Sequence, residues 1–136
     1  MSRKSILFAV PLLAMAAACV NIQATRLGPG RAYPPVPKEE VQVFEDEGDV
    51  PGSFEKVAVL YADGDADLTS YRQMIDAARK KAGRMGANAI VIGEFREPRF
   101  STRVAAAVLD VPVARRGRFL AIRRGVEEGD EVIELP

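Results

Sequence analysis

A strand, a helix and a second strand follow one another between Phe54 and Phe95 with little chain between them, and this unit limits the folds open to the sequence. Phe54 to Tyr61 carries Val57, Ala58, Val59 and Leu60 as a nearly continuous apolar run, the pattern of a strand buried on both faces. Asp63-Gly64-Asp65-Ala66-Asp67 is expected to break that strand and lead into a helix over Leu68 to Met85. Asp67, Thr69 and Ser70 are all candidate N-caps, because their side-chain oxygens can accept the first free backbone N–H groups. Tyr71, Ile75, Ala78, Ala82 and Met85 recur at helical spacing and define the face to be buried. Arg79, Lys80, Lys81 and Arg84 crowd the last turns, where the helix dipole favours positive charge and suffices to explain them; an anionic-lipid or phosphate contact is the alternative. Gly86 is expected in the left-handed cap position. Ala87 to Phe95 reads as the next strand, so the three elements form a βαβ-like unit whose helix packs on a sheet.

The remaining elements are shorter. Val41-Gln42-Val43-Phe44 alternates as a strand does, and Glu45 to Asp49 forms a polar loop closed by Pro51-Gly52. Ser101 to Leu109 fits a helix or a strand; its alanine content and a Ser101 or Thr102 cap favour the helix. Val111-Pro112-Val113 stops that element, Arg115-Arg116-Gly117 is expected as a turn, and Gly117 to Arg124 as a final strand. The expected fold class is α+β: a small βαβ-containing sheet with one main helix packed on it, over residues 39–124. Residues 125–136 form an acidic tail in which Val132-Ile133 can add a small edge.

The chain ahead of this domain has a different character. Arg3 and Lys4 precede an apolar stretch from Ile6 to Met15, followed by Ala16-Ala17-Ala18 and the single cysteine, Cys19. The stretch is too short to span a bilayer, which takes about 20 residues. A charged start, a short apolar run and small residues describe an export signal over residues 1–18. Ala16-Ala17-Ala18-Cys19 resembles the lipobox of bacterial lipoproteins, with Ala16 where the commonest form has Leu. The resemblance implies that the Cys19 thiol receives diacylglycerol and becomes the mature N-terminus. The alternative is an ordinary signal cleaved at the alanines, which leaves a soluble periplasmic protein with a lone thiol in an oxidising compartment. Val20 follows the cysteine where an Asp would resemble an inner-membrane retention signal, which favours a lipid-anchored, periplasm-facing site on the outer membrane. Residues 19–38 hold Gly28, Pro29, Gly30, Pro34, Pro35 and Pro37 and are expected to act as a tether, extended near the prolines.

Charge narrows the range of partners. Without residues 1–18 the chain keeps 17 basic and 19 acidic residues, which argues against a general nucleic-acid binder. The charges are arranged in blocks: ten acidic against two basic residues from Lys38 to Asp67, then thirteen basic against four acidic from Leu68 to Arg124. Such blocks either steer a charged partner or neutralise one another across the fold.

The string Ala82-Gly83-Arg84-Met85-Gly86-Ala87-Asn88-Ala89-Ile90-Val91-Ile92 resembles the corner between helix and strand in a group of small bacterial domains. These include the YbjQ-type heavy-metal-binding domain and the Rcs-system outer-membrane lipoprotein sensor. The closing run Arg115 to Arg123 resembles the end of uncharacterised bacterial lipoproteins with the same signature. The likeness spans about Val41 to Arg124 and implies a fold more than a function. The sensor's domain is braced by disulfides, whereas the one cysteine here lies outside the domain. A heavy-metal site needs soft or imidazole ligands; with no histidine and Cys19 assigned to lipid, thiol and histidine zinc chemistry is excluded.

Carboxylates are the remaining metal ligands. Asp63, Asp65 and Asp67 match the first three ligands of an EF-hand loop, but Leu68 replaces the required glycine and Met74 the closing glutamate. Histidine-based catalysis is impossible, and no nucleophile elbow or phosphate-binding glycine loop occurs. A carboxylate pair such as Asp63 with Glu94 lacks accompanying aromatic residues. The sequence therefore implies no enzyme, no cofactor and no metal site. Two functions remain: a membrane-tethered envelope module that binds an envelope protein or senses through it, and a small-ligand or cation-binding domain using the acidic loops. For the first, Cys19 is the lipid attachment site, the membrane is a partner, and the candidate protein-binding surface is Arg115, Arg116 and Arg118 or an exposed sheet edge.

Overall fold

The computed structural model describes residues 19–125, apart from Pro29 and Arg31. Five strands form one mixed sheet: β1 (Asn21–Arg26), β2 (Gln42–Phe44), β3 (Phe54–Asp65), β4 (Ala89–Arg96) and β5 (Ala114–Arg124), in the order β1-β3-β5-β4-β2. Helix α1 (Tyr71–Arg84) joins β3 to β4, and α2 (Phe100–Leu109) joins β4 to β5. The class is α+β, with α1 packed on one face of the sheet. The expected leader, residues 1–18, and the possible edge at Val132-Ile133 lie outside the described residues.

The strand–helix–strand unit is split. β5 pairs antiparallel with both β3 and β4, so those two strands run parallel to each other with β5 between them. The composition of β5 explains its central place. Phe119 and Ala121 point to the α1 side, Leu120 and Ile122 to the other, and both sets pack into cores. A strand apolar on both faces is stable only between neighbours and covering layers. On the α1 side Leu60, Ile90, Phe119, Met74, Ala78 and Ala82 are fully buried. The opposite face carries a smaller cluster of Val50, Ala89, Val91 and Ile122 beneath the loop that precedes β3.

Local chemistry sets the helix ends. Ser70 is the N-cap of α1: its hydroxyl accepts from Gln73 N–H at 3.2 Å, and the Gln73 side chain accepts from Ser70 N–H at 2.7 Å. This reciprocal pair is a capping box, so the helix starts later than the expected Leu68. The buried face is centred on Met74, Ala78 and Ala82, which leaves Tyr71 and Ile75 at its margin. Gly86 has φ +86° as expected, and a Cβ there would meet the Cβ of Tyr33 at 2.5 Å. Residues 100–109 are helical, as favoured, but neither Ser101 nor Thr102 caps them; Arg99 is the N-cap and makes no side-chain cap bond.

Three expectations are corrected. Asp63-Gly64-Asp65 does not break β3, because Asp63 pairs in register with Arg116 and Asp65 with Ala114. For the same reason Arg115-Arg116-Gly117 is strand rather than turn. The chain after Cys19, expected as a spacer, enters the sheet at once: Asn21 to Arg26 pair antiparallel with Asp63 to Ala58 and satisfy the main chain of β3 along that edge. Further on, Pro37 keeps extended geometry, at φ −58° and ψ 144°. That stretch is nevertheless docked, since Val36 N–H donates to the Gly83 carbonyl at 2.8 Å and Tyr33 donates to Glu55.

Candidate functional site

Alternation along β5 divides its arginines between the two faces of the sheet. Arg116 and Arg118 project on the face away from α1, beside Tyr61, which sits opposite Arg118 in the register. Arg115 projects toward α1. Its guanidinium donates to the Thr69 carbonyl, pairs with Glu97 at 3.4 Å and lies 4.7 Å from the centroid of the Tyr71 ring. Its side chain is only 14% exposed. The structure thus brings together two of the three candidate arginines and gives the third to the packing of α1 against the sheet.

A β-bulge shapes the open face. Ile92 pairs with Phe119 and Phe95 with Gly117, so Gly93 and Glu94 together oppose Arg118. Bulges of this kind bend a strand and re-aim the side chains beside them. Here the result is a shallow depression lined by Tyr61, Glu94, Arg96, Arg116, Gly117 and Arg118. Within it Arg96 pairs with Glu94 and Arg116 with Asp63, each at 3.1 Å. Among the described residues Arg118 has no ion pair, and Tyr61 beside it is 46% exposed. An aromatic ring next to an unpaired guanidinium can take a carboxylate or a planar apolar group from a partner. Tyr61, Glu94 and Arg96 were not singled out as a surface in the sequence. The period-two alternation of Arg116 and Arg118 with Gly117 and Phe119 was the signal that could have assigned the face.

The acidic candidates are engaged elsewhere. Asp63 holds Arg116, and one carboxylate oxygen of Asp65 accepts from Asp67 N–H at 2.9 Å and Leu68 N–H at 3.3 Å, an Asx-type loop closure. Among the described residues no group of three or more His, Cys, Asp or Glu side chains is arranged to hold a metal ion. Asp63 and Glu94 each pair with their own arginine.

A second charged and aromatic cluster sits at the start of α1. The Tyr71 hydroxyl donates to Glu97 at 2.7 Å, and Tyr71 meets Phe95 edge to face with centroids 4.6 Å apart. Phe95 in turn stands edge-on to Phe119 at 5.4 Å. The hydrogen bond to Glu97 chiefly, with desolvation and the charge of Glu97, raises the Tyr71 phenol above its ordinary range. Arg115 and Glu97 together lock the β4 end to the β3–α1 loop.

Cys19 is exposed and unbonded, two residues before β1, in a groove with Val20, Gln73, Asp76 and Lys80. No helix among the described residues is long and apolar enough to cross a membrane.

No protein-family model matches the chain, and no curated protein matches it. A crystal structure of a Francisella virulence factor, FvfA, is similar at 13% identity with a TM-score of 0.49, over 75% of this chain and 96% of that one.

Proposed function

We propose that this chain is an envelope lipoprotein, held by an acyl-modified Cys19, whose domain is a non-catalytic protein-interaction or sensing module. The observation that carries the reading is the place of Cys19. The sole cysteine is exposed, stands clear of the core, and leads directly into an edge strand, so a lipid there disturbs no packing. Acyl chains contribute about 0.8 kcal/mol for each buried CH₂, enough in combination to hold a domain without a spanning helix. The lipobox-like run Ala16 to Cys19 supports acylation, and Val20 in place of a retention Asp supports an outer-membrane, periplasm-facing location. The open face at Tyr61 and Arg118 is the docking surface, and its chemistry suits an envelope protein that presents a carboxylate.

The reading is tested on native protein extracted from membranes. Intact mass is expected to give a mature chain that begins at a diacylglyceryl-modified Cys19. A chain that begins elsewhere, or carries a free thiol, overturns the anchor. A photo-crosslinking side chain at position 61 is expected to capture a defined envelope protein in a manner abolished by Arg118→Glu. The alternative, a cation-binding domain using the acidic loops, is less well supported because Asp63 and Asp65 are committed to Arg116 and to their own loop. A calcium-dependent rise in melting temperature that is lost in Asp65→Asn would favour it.

A further inference from the structure

The register of the sheet gathers several features at one end of the molecule. Asn21 pairs with Asp63, Asp65 with Ala114, and Arg96 with Arg116, so Cys19, the β3–α1 loop and α2 all lie at that end. Among the described residues, eight large hydrophobic side chains are exposed, and six belong to this end: Leu68, Phe100, Val104, Val108, Leu109 and Val111. Phe100, Val104 and Val108 recur every four residues and form one stripe along α2, with Phe100 82% and Val108 79% exposed. Arg99 and Arg103 form the adjacent stripe, no acidic residue occurs from Phe100 to Leu109, and among the described residues neither arginine is in an ion pair. At ten residues the helix is far too short to span a bilayer but has the make-up of one that lies in the interface, apolar on one side and cationic beside it.

We infer that α2 is a membrane-contact element, its Phe100–Val104–Val108 stripe seated among the acyl chains and Arg99 and Arg103 on anionic headgroups. The inference rests on the acylation of Cys19 and adds to it a fixed orientation. Because β1 begins at Asn21, Val20 alone separates the anchored residue from the sheet. A trans chain advances at most about 3.6 Å per residue, so a lipid on Cys19 holds this end of the sheet at the bilayer surface. The exposed apolar side chains at that end then meet lipid rather than water, and the opposite end, where Phe54 pairs with Arg124, faces away.

The chain has no tryptophan, so single reporters can be placed in the full acylated protein. Phe100→Trp and Val108→Trp mark α2, both at exposed positions, and Val43→Trp on β2 marks the far part of the sheet. Each protein is reconstituted into phosphatidylethanolamine–phosphatidylglycerol vesicles with brominated acyl chains, and the Cys19 adduct is verified by mass. Blue-shifted emission and strong bromine quenching at positions 100 and 108, with neither at 43, is the expected result. Acylated protein in which positions 100 and 108 are quenched no more than 43 overturns the contact while leaving the anchor intact. Blue shift without bromine quenching, together with cross-links between copies through α2, also overturns it and makes a second copy the occupant. A free Cys19 thiol removes the anchor, and the inference falls with it.

Discussion

Gly117 lies directly against the ring of Phe95: a Cβ built on Gly117 would stand 2.8 Å from Phe95 Cε1 and 3.2 Å from Phe119 Cε2. The glycine is buried in the middle of β5, where its lack of a side chain lets the Tyr71–Phe95–Phe119 stack close over the sheet. Phe95 is wedged between two other rings, so it cannot swing aside without cost. Gly117→Ala is expected to destabilise the domain by about 1–3 kcal/mol, the usual range for overpacking, despite alanine's better strand propensity. Urea unfolding of Gly117→Ala, Phe95→Leu and the double variant tests the contact. The double variant should lose less than the sum of the two singles, and strict additivity would contradict it.

Met74 is the side chain on which α1 turns its buried face, fully enclosed with Ala78 and Ala82. Met74→Ala is expected to cost about 2–5 kcal/mol through lost burial and a cavity. Ile75→Ala, at the margin of the same face, should cost clearly less. Equal losses at the two positions, measured by chemical denaturation, would show that the helix is rotated so that Ile75 is as enclosed as Met74.

The strand–helix–strand core was legible in the sequence because its signals are local: apolar runs, helical spacing, and a glycine at Gly86 that demands positive φ. The insertion of β5 between β3 and β4 was not, since pairing is a long-range choice that no single segment encodes. Arg115-Arg116-Gly117 read as a turn on residue type, yet its glycine answers to a ring contributed by a different strand. β1 is a different case. Val20, Ile22 and Ala24 alternate with Asn21, Gln23 and Thr25, a strand pattern obscured by the glycines and prolines that follow. The Ser70–Gln73 capping box was also readable from its spacing. Of the site, the basic run on β5 was visible, but which arginines share a face follows only once the strand is known to begin at Ala114.

Tyr71 makes part of the stability depend on alkaline pH. Its pKa is raised, chiefly by the hydrogen bond that its hydroxyl donates to Glu97. The neutral phenol is the form favoured by folding. The contribution is therefore fully present below the unfolded value, about 10, and is lost as pH rises through the higher folded value. Phenolate absorbance, taken as the difference between the parent protein and Tyr71→Phe, should show Tyr71 titrating above the usual range. Glu97→Gln should bring that titration down toward 10 and weaken the pH dependence. A Tyr71 titration indifferent to Glu97→Gln would remove the hydrogen bond as its cause.

The neighbouring arginines of β5 should separate cleanly by phenotype. Arg115 is held by the Thr69 carbonyl, Glu97 and the Tyr71 ring, and its loss leaves a buried carbonyl without its donor. Arg115→Ala is expected to cost about 1–3 kcal/mol, the penalty of an unsatisfied buried group. Arg115→Lys should rescue little of this, because a point charge cannot replace a planar fork that spans two acceptors and an aromatic face. Arg118 is exposed on the open face without an ion pair among the described residues, so Arg118→Ala should change stability by no more than about 0.5 kcal/mol. Its effect belongs to recognition. Cross-linking yield through position 61, normalised to folded protein, should fall in Arg118→Ala and be unaltered in Arg115→Ala. Equal yields from the two variants would dissociate Arg118 from the docking surface, and a larger loss of stability in Arg118→Ala than in Arg115→Ala would mean that the faces of β5 are assigned the wrong way round.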